Sequence, residues 1–122
     1  MGKDARLPTV LVVDDDASLR LLCRVNLELD GYRVIEAREV GEAEELLRTE
    51  AVDLVLLDVH VGPESGIELM RSVREHRGAP PVVLVTGSVR LDAETQAEAD
   101  GVVSKPFRLE ELLGVVGRLL SR

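Results

Sequence analysis

Acidic residues, a hydroxyl and a lysine stand at the ends of short apolar runs in this sequence. The first run is followed by three consecutive aspartates at 14–16, and a later run ends in Asp58. Two further runs end in Thr86 and in Lys105. In open α/β sheets the ligand crevice lies beyond the carboxyl ends of the strands. We therefore expect these side chains to converge at one edge of a sheet.

Carboxylates crowded in this way repel one another and raise each other's pKa unless a cation neutralises them. Lys105 supplies one positive charge against at least three negative charges. A hard divalent ion with oxygen ligands, usually Mg²⁺, would supply the missing positive charge. With a metal and a cation nearby, an aspartate can attack a phosphoryl group and form an acyl phosphate. Asp58 is the best candidate for that nucleophile because it ends a central apolar run alone.

Each of these residues also has a simpler interpretation when it is taken singly. An aspartate at a strand-to-helix junction is most often a helix N-cap. Thr86 could be a turn residue, and Lys105 could be a solvated charge before a proline. The chemical hypothesis therefore depends on all of them meeting at one place.

Apolar periodicity predicts the elements that would bring them together. Four β-branched apolar runs, continuous rather than alternating, indicate strands buried on both faces, at 10–13, 54–57, 82–85 and 102–103. A fifth segment, 32–36, mixes charged and apolar residues as an edge strand does. Between these runs, apolar residues recur with the spacing of amphipathic helices. Asp16 and Ser65 are predicted N-caps, and Gly31 and Gly78 are predicted helix stops.

Strands that alternate with helices of this length predict a (βα)₅ chain. Right-handed crossovers then give a five-stranded parallel sheet with helices on both faces, a doubly wound α/β fold. A length of 122 residues is typical of one domain, which excludes a multidomain enzyme. We expect residues 1–122 to form a single domain.

Charge, cysteine content and hydropathy limit the classes of binding partner and the cellular compartment that we expect for this protein. A net charge of −8 argues against direct binding of nucleic acid or of an anionic membrane. The single cysteine, Cys23, allows no internal disulfide and is expected to be a small buried hydrophobe. No apolar stretch is long enough for a signal peptide or a membrane span. A cytoplasmic location is the expectation.

Four motifs in register resemble the receiver domain of two-component response regulators. They are VLVVDDD at 10–16, DLVLLDVHVGPESG at 53–66, VVLVTGS at 82–88 and ADGVVSKPF at 99–107. The resemblance covers essentially the whole chain. It implies a flavodoxin-like sheet in the order 2-1-3-4-5, and a cis bond between Lys105 and Pro106.

The same resemblance implies a role for each site residue. Asp14 and Asp15 correspond to the acidic pair, with Asp15 a direct Mg²⁺ ligand, and Asp58 corresponds to the phosphoacceptor and a further ligand. The backbone carbonyl of His60 would complete the protein ligands. Thr86 corresponds to the hydroxyl that binds the phosphoryl group, and Lys105 to the lysine that pairs with it.

The implied function is Mg²⁺-dependent phosphoryl transfer to Asp58 from a histidine kinase or a histidine phosphotransfer protein. The transfer would switch a protein-interaction surface, with the output supplied by a downstream protein or by a domain outside this chain. Such a domain catalyses its own phosphorylation and dephosphorylation but is not a conventional turnover enzyme.

Three features depart from the family pattern. Gly62 stands where a proline is usual, with Pro63 one position later, so the path of that loop is open. Val102 replaces the usual aromatic switch residue. The interval from Thr86 to Lys105 is 19 positions, about three fewer than usual, which predicts a short, weakly anchored fourth helix.

Two alternatives stay open on the sequence. A haloacid-dehalogenase-like phosphatase would use Asp14 and Asp16 after the first strand, together with Thr86 and Lys105, but it would leave Asp58 unexplained. A receiver-like interaction module that no longer takes phosphate would keep the fold and lose the chemistry.

Overall fold

Five β-branched segments form the central sheet of the computed structural model, which describes residues 6–87 and 90–121. Within these residues the sheet strands are β1 (Thr9–Val13), β2 (Arg33–Ala37), β3 (Leu54–Asp58), β4 (Val82–Thr86) and β5 (Gly101–Ser104). The helices are α1 (Ala17–Leu29), α2 (Val40–Thr49), α3 (Gly66–Arg74), α4 (Ala93–Glu98) and α5 (Leu109–Leu119). The predicted (βα)₅ alternation is confirmed.

All neighbouring strands of the sheet are parallel, in the order β2-β1-β3-β4-β5. This is the predicted 2-1-3-4-5 order. Every residue of β1, β3 and β4 is buried, whereas β2 at the edge exposes Arg33. Continuous apolar runs thus mark strands covered on both faces, and the mixed run marks the edge.

Alternate residues of the strands feed two separate apolar cores. On one face, Leu11 and Val13 of β1 join a cluster that includes Met70 of α3. On the other face, Val10 and Val12 join a cluster that includes Cys23 and Leu112 of α1 and α5. Cys23 is buried, as expected. The two layers of helices fix the sheet rigidly between them and leave its carboxyl edge for the loops.

Capping interactions set where the first and third helices begin. The Asp16 carboxylate accepts hydrogen bonds from the backbone N–H groups of Ser18 and Leu19, and Ser65 accepts one from the N–H of Glu68. Gly31 and Gly78 adopt positive φ angles of 94° and 69° shortly after α1 and α3 end. Asp16, Ser65 and Gly31 therefore act as predicted, whereas α3 ends at Arg74, before Gly78, which lies in the following turn.

The fourth helix has six residues, which confirms that this segment is short. Its attachment to α3 is polar. Arg71 of α3 lies 2.9 Å from a carboxylate oxygen of Glu98 and also reaches the Thr95 hydroxyl at 3.5 Å. Just beyond the helix, the Asp100 carboxylate accepts from the backbone N–H of Val82 at 2.8 Å. Apolar spacing alone does not reveal these ties.

The loop after β3 turns back as a small hairpin. His60 and Val61 pair antiparallel with Ser65 and Glu64, and Gly62 takes a positive φ of 60° at the turn. This hairpin is the course of the loop, which the sequence did not predict because Pro63 lies one position later than the proline usual in the family. The Lys105–Pro106 bond is cis, as the resemblance implied. No helix among the described residues combines the length and apolar character needed to cross a bilayer.

Close packing joins the end of β3 to the start of α3. A Cβ atom added to Gly66 would lie 1.9 Å from the backbone oxygen of Asp58 and 3.2 Å from that of Val59. The Gly66 N–H also donates to the Val59 oxygen at 2.7 Å. Only glycine lets the helix begin this close to Asp58, so α3 and the end of β3 hold each other in place.

We expect Gly66→Ala to destabilise the protein by about 2 kcal/mol or more, because backbone atoms, unlike flexible side chains, cannot move aside cheaply. The matched control is Gly114→Ala on α5, where an added Cβ meets nothing within 4 Å. That change should stabilise by up to about 1 kcal/mol through helix propensity. Urea denaturation followed by circular dichroism measures both; equal effects of the two substitutions would contradict the packing account.

Candidate functional site

Two aspartates at adjacent strand ends form the floor of the candidate site. Asp14 directly follows β1 and Asp58 ends β3, and their residues are only 3% and 9% exposed. Because β1 and β3 are parallel neighbours, their carboxyl ends meet at the same sheet edge. The sheet thus brings together two carboxylates that are 44 positions apart in the sequence.

Lys105, which directly follows β5, contacts both of these carboxylates. Its Nζ lies 3.1 Å from Oδ2 of Asp58 and 3.5 Å from Oδ2 of Asp14. The backbone N–H of Lys105 donates to the carbonyl of Thr86 at 2.8 Å, which ties the ends of β4 and β5 together. The backbone of Lys105 is therefore held at the end of β4, and its ammonium group contacts the two aspartates.

Backbone donors hold the second oxygen of each aspartate. Oδ1 of Asp14 accepts from the N–H of Asp16 at 2.9 Å, and Oδ1 of Asp58 accepts from the N–H of His60 at 3.2 Å. With one oxygen held by an amide and the other facing the ammonium, each carboxylate has a defined orientation.

The charges at this site are only partly compensated. Burial, followed by the charge of Asp58, raises the pKa of Asp14 from 3.8 to about 6, against the opposing effects of the Asp16 N–H and of Lys105. Burial alone would lower the pKa of Lys105, but its hydrogen bond to Asp58 and the charges of both aspartates raise it instead. The lysine consequently stays an ammonium, while the aspartates still carry excess negative charge.

Asp15 adds a third carboxylate to the group. One carboxylate oxygen each from Asp14, Asp15 and Asp58 lie within 4.8 Å of one another. Asp15 is exposed, so the cluster opens toward solvent. An all-oxygen donor set with excess negative charge and an open side fits a hard divalent cation such as Mg²⁺.

The remaining predicted site residues lie at the same edge with different surroundings. Thr86 ends β4, is 6% exposed and pairs in register with Ser104. The His60 side chain is exposed, and the backbone N–H of His60 donates to Oδ1 of Asp58. Asp16 belongs to α1 as its N-cap rather than to the cluster.

Two residues contact the backbone of the site without having been singled out in the sequence. Gly66 packs on the carbonyl of Asp58, and Arg20 donates from its guanidinium to the carbonyl of Asp14 at 2.7 Å. Gly66 ends the 53–66 motif, so its place after a hairpin was a readable signal. Arg20 had no such signal, because its contact depends on how α1 crosses the sheet.

A model of the response regulator receiver domain matches residues 10–117. The chain belongs to this family. Residues of the receiver motifs occupy the sheet edge described above, and the match is to receivers rather than to the phosphatase family that the sequence left as an alternative. The chain is thus a receiver domain of two-component response regulators.

Among similar proteins, the transcriptional regulatory protein CpxR of Escherichia coli is 34% identical over 115 residues, which cover 93% of this chain and 49% of CpxR. The chain therefore spans about half the length of this curated relative. The sensor histidine kinase AruS of Pseudomonas aeruginosa is 35% identical over 117 residues, or 90% of this chain and 12% of AruS.

A solved structure of the response regulator TrrA from Thermotoga maritima, in complex with Mg²⁺-BeF, superimposes with a TM-score of 0.85 at 30% identity. The match covers 93% of this receiver and 99% of the TrrA chain. The likeness therefore extends over nearly the whole fold.

Removing the charge of Asp14 should stabilise the metal-free receiver at high pH. Because the folded-state pKa is raised, ionising Asp14 costs stability as the pH rises from about 4 through 6. We expect Asp14→Asn to be more stable than the parent at pH 8, by on the order of 2 kcal/mol, and the advantage to shrink near pH 4.

Urea denaturation with a chelator present, at both pH values, measures this difference. Asp16→Asn serves as the control, because it removes a neighbouring exposed carboxylate and keeps an N-cap side chain. A parent protein that is more stable than Asp14→Asn at pH 8 would show that Lys105 already compensates the site fully.

Proposed function

We propose that this receiver accepts a phosphoryl group on Asp58 from a phosphohistidine of a histidine kinase or a histidine phosphotransfer protein. The observation that carries the proposal is the 3.1 Å contact between Lys105 Nζ and Asp58 Oδ2 inside a cluster of three carboxylates. An ammonium at this position meets the negative charge that builds up when a phosphoryl group joins the carboxylate.

The transfer forms one bond and breaks one bond. A carboxylate oxygen of Asp58 attacks phosphorus, the P–N bond to the donor histidine breaks, and its electron pair returns to the imidazole. The product is an acyl phosphate on Asp58. The 9% exposure of Asp58 leaves a route to the carboxylate while its backbone stays fixed against Gly66.

We assign the Mg²⁺ ligands to the carboxylates of Asp14, Asp15 and Asp58 and to the backbone carbonyl of His60. The ion would neutralise charge on the phosphoryl oxygens. The support is the donor set itself: three carboxylates lie together at an open edge, and burial, followed by the charge of Asp58, raises the pKa of one of them, Asp14.

Lys105 and Thr86 would bind the transferred group. Lys105 remains protonated because its two acidic neighbours raise its pKa, so it can pair with a phosphoryl oxygen. Thr86 ends the strand beside β3 and would donate its hydroxyl to another oxygen. Both residues lie at strand ends, and the Lys105 N–H donates to the Thr86 carbonyl. A displacement of one strand end would therefore displace the other.

We further propose that phosphorylation changes the surface around α4 and β5. Val102 has no ring to rotate, and α4 is a six-residue helix held to α3 by polar contacts. Movement of the Thr86 end of β4 would act on this short element. Residues 1–122 would work as one receiver unit in the cytoplasm, with output from a downstream protein or from a domain beyond this chain.

With magnesium and acetyl phosphate as donor, the intact protein should gain one phosphoryl group, and Asp58→Asn should abolish the gain because the amide is not a nucleophile for this step. Intact-mass spectrometry gives the readout, and peptide mapping locates the group. Asp16→Asn is the matched control and should be labelled like the parent.

Other labelling patterns have definite meanings. A label on Asp14 that persists in Asp58→Asn would indicate phosphatase-like chemistry. An unlabelled parent protein that is folded and binds Mg²⁺ would leave the interaction module as the better interpretation. Either pattern contradicts the proposed phosphoacceptor.

We expect Asp15→Ala to weaken Mg²⁺ binding tenfold or more, since even residues behind a metal ligand commonly contribute that much. Asp16→Ala should leave Mg²⁺ affinity within about twofold and lower stability by about 1 kcal/mol through loss of the N-cap. Thermal melts across a Mg²⁺ titration separate the two effects; equal losses of Mg²⁺-induced stabilisation would refute the assignment of Asp15.

A further inference from the structure

An arginine on α1 connects the edge strand β2 to the backbone of the acidic cluster. The Nε of Arg20 donates to Oε1 of Glu36 at 3.0 Å, and a terminal guanidinium nitrogen donates to the carbonyl of Asp14 at 2.7 Å. The side chains of Arg20 and Glu36 are 16% and 24% exposed, so water competes only partly with these bonds. Neither residue belongs to the predicted site.

We infer that Arg20, oriented by Glu36, is a positioning residue that sets the direction of the Asp14–Asp15 peptide and thereby the carboxylates that bind the cation. The inference rests on the proposed Mg²⁺-dependent function of the same cluster. Arg20 touches a backbone oxygen and none of the three carboxylates, so its effect is exerted through Asp14.

Peptide planarity explains how one hydrogen bond orients two residues. The carbonyl of Asp14 and the N–H of Asp15 lie in one rigid plane. On the other side of Asp14, its own N–H donates to the carbonyl of Ala37 at 3.0 Å. The two backbone polar groups of Asp14 are therefore both held from β2, one directly through Ala37 and the other through Glu36 and Arg20.

The contact requires the shape of arginine as well as its charge. A guanidinium presents several donors in one plane and can serve Glu36 and the Asp14 carbonyl together. A lysine ammonium carries a similar charge on a single nitrogen and has no planar fork. Arg20→Lys consequently separates orientation from simple electrostatic attraction.

Arg24 provides a matched control one helical turn away. It also pairs with Glu36, but its other bonds go to Glu28 and to the carbonyl of Val34, and none goes to the Asp14 backbone. Removing Arg24 disturbs the same glutamate and the same helix. A general loss of α1 packing would therefore appear in both variants, whereas loss of positioning would appear only for Arg20.

The experiment compares Arg20→Gln, Arg20→Lys and Arg24→Gln with the parent chain by amide NMR during a titration with MgCl₂. We expect both Arg20 variants to bind Mg²⁺ about five- to tenfold more weakly, near the lower end of the effects seen behind metal ligands, and Arg24→Gln to stay within about twofold. A metal-free readout accompanies it: amide exchange at Asp15 and Asp16 should accelerate in the Arg20 variants only.

Three results would overturn the inference. The first is parent-like Mg²⁺ affinity in Arg20→Gln, and the second is an equal loss in Arg24→Gln. The third is full recovery in Arg20→Lys, which would mean that charge alone matters. In each case a parent chain that binds Mg²⁺ and takes the phosphoryl group leaves the proposed function standing. A parent chain that does not bind Mg²⁺ removes both.

Discussion

The burial of two neighbouring carboxylates, Asp14 and Asp58, beside a single shared ammonium is the constraint on which the rest of this receiver depends. Asp14 and Asp58 are nearly buried, and Lys105 contacts both, yet the pKa of Asp14 is still raised. A group with uncompensated charge in a partly desolvated site favours binding of a cation. The free receiver is thus electrostatically less favourable than a state in which positive charge joins the cluster.

The fold keeps this arrangement from relaxing. Backbone N–H groups hold one oxygen of Asp14 and one of Asp58, and Gly66 packs α3 against the carbonyl of Asp58. Two apolar cores clamp the sheet from both faces. The carboxylates cannot move apart without breaking these contacts, so the unfavourable charge is held at one place. The stability of Asp14→Asn, measured without metal, therefore reports on the same charge arrangement as the proposed phosphorylation would.

The resemblance to receivers implied the sheet order, and the apolar runs of the sequence predicted which residues lie at the carboxyl edge of the sheet. Strand ends are readable because buried parallel strands are continuous apolar runs, and the residue that ends each run must lie at the carboxyl edge. Asp58 and Lys105 were found in this way. The contacts of Arg20 and the polar attachment of α4 through Arg71 could not be predicted. Long flexible side chains such as these contact residues on other elements, and spacing along the sequence does not indicate which ones.

A crystal structure of the chain with Mg²⁺ and beryllofluoride, a stand-in for the phosphoryl group, would test the central claim most directly. The account predicts beryllium bonded to a carboxylate oxygen of Asp58, Lys105 Nζ in contact with a fluoride, and Mg²⁺ bound by Asp15 at the same edge. Beryllofluoride on Asp14, or a complex in which Asp58 keeps only its contact with Lys105, would contradict the account.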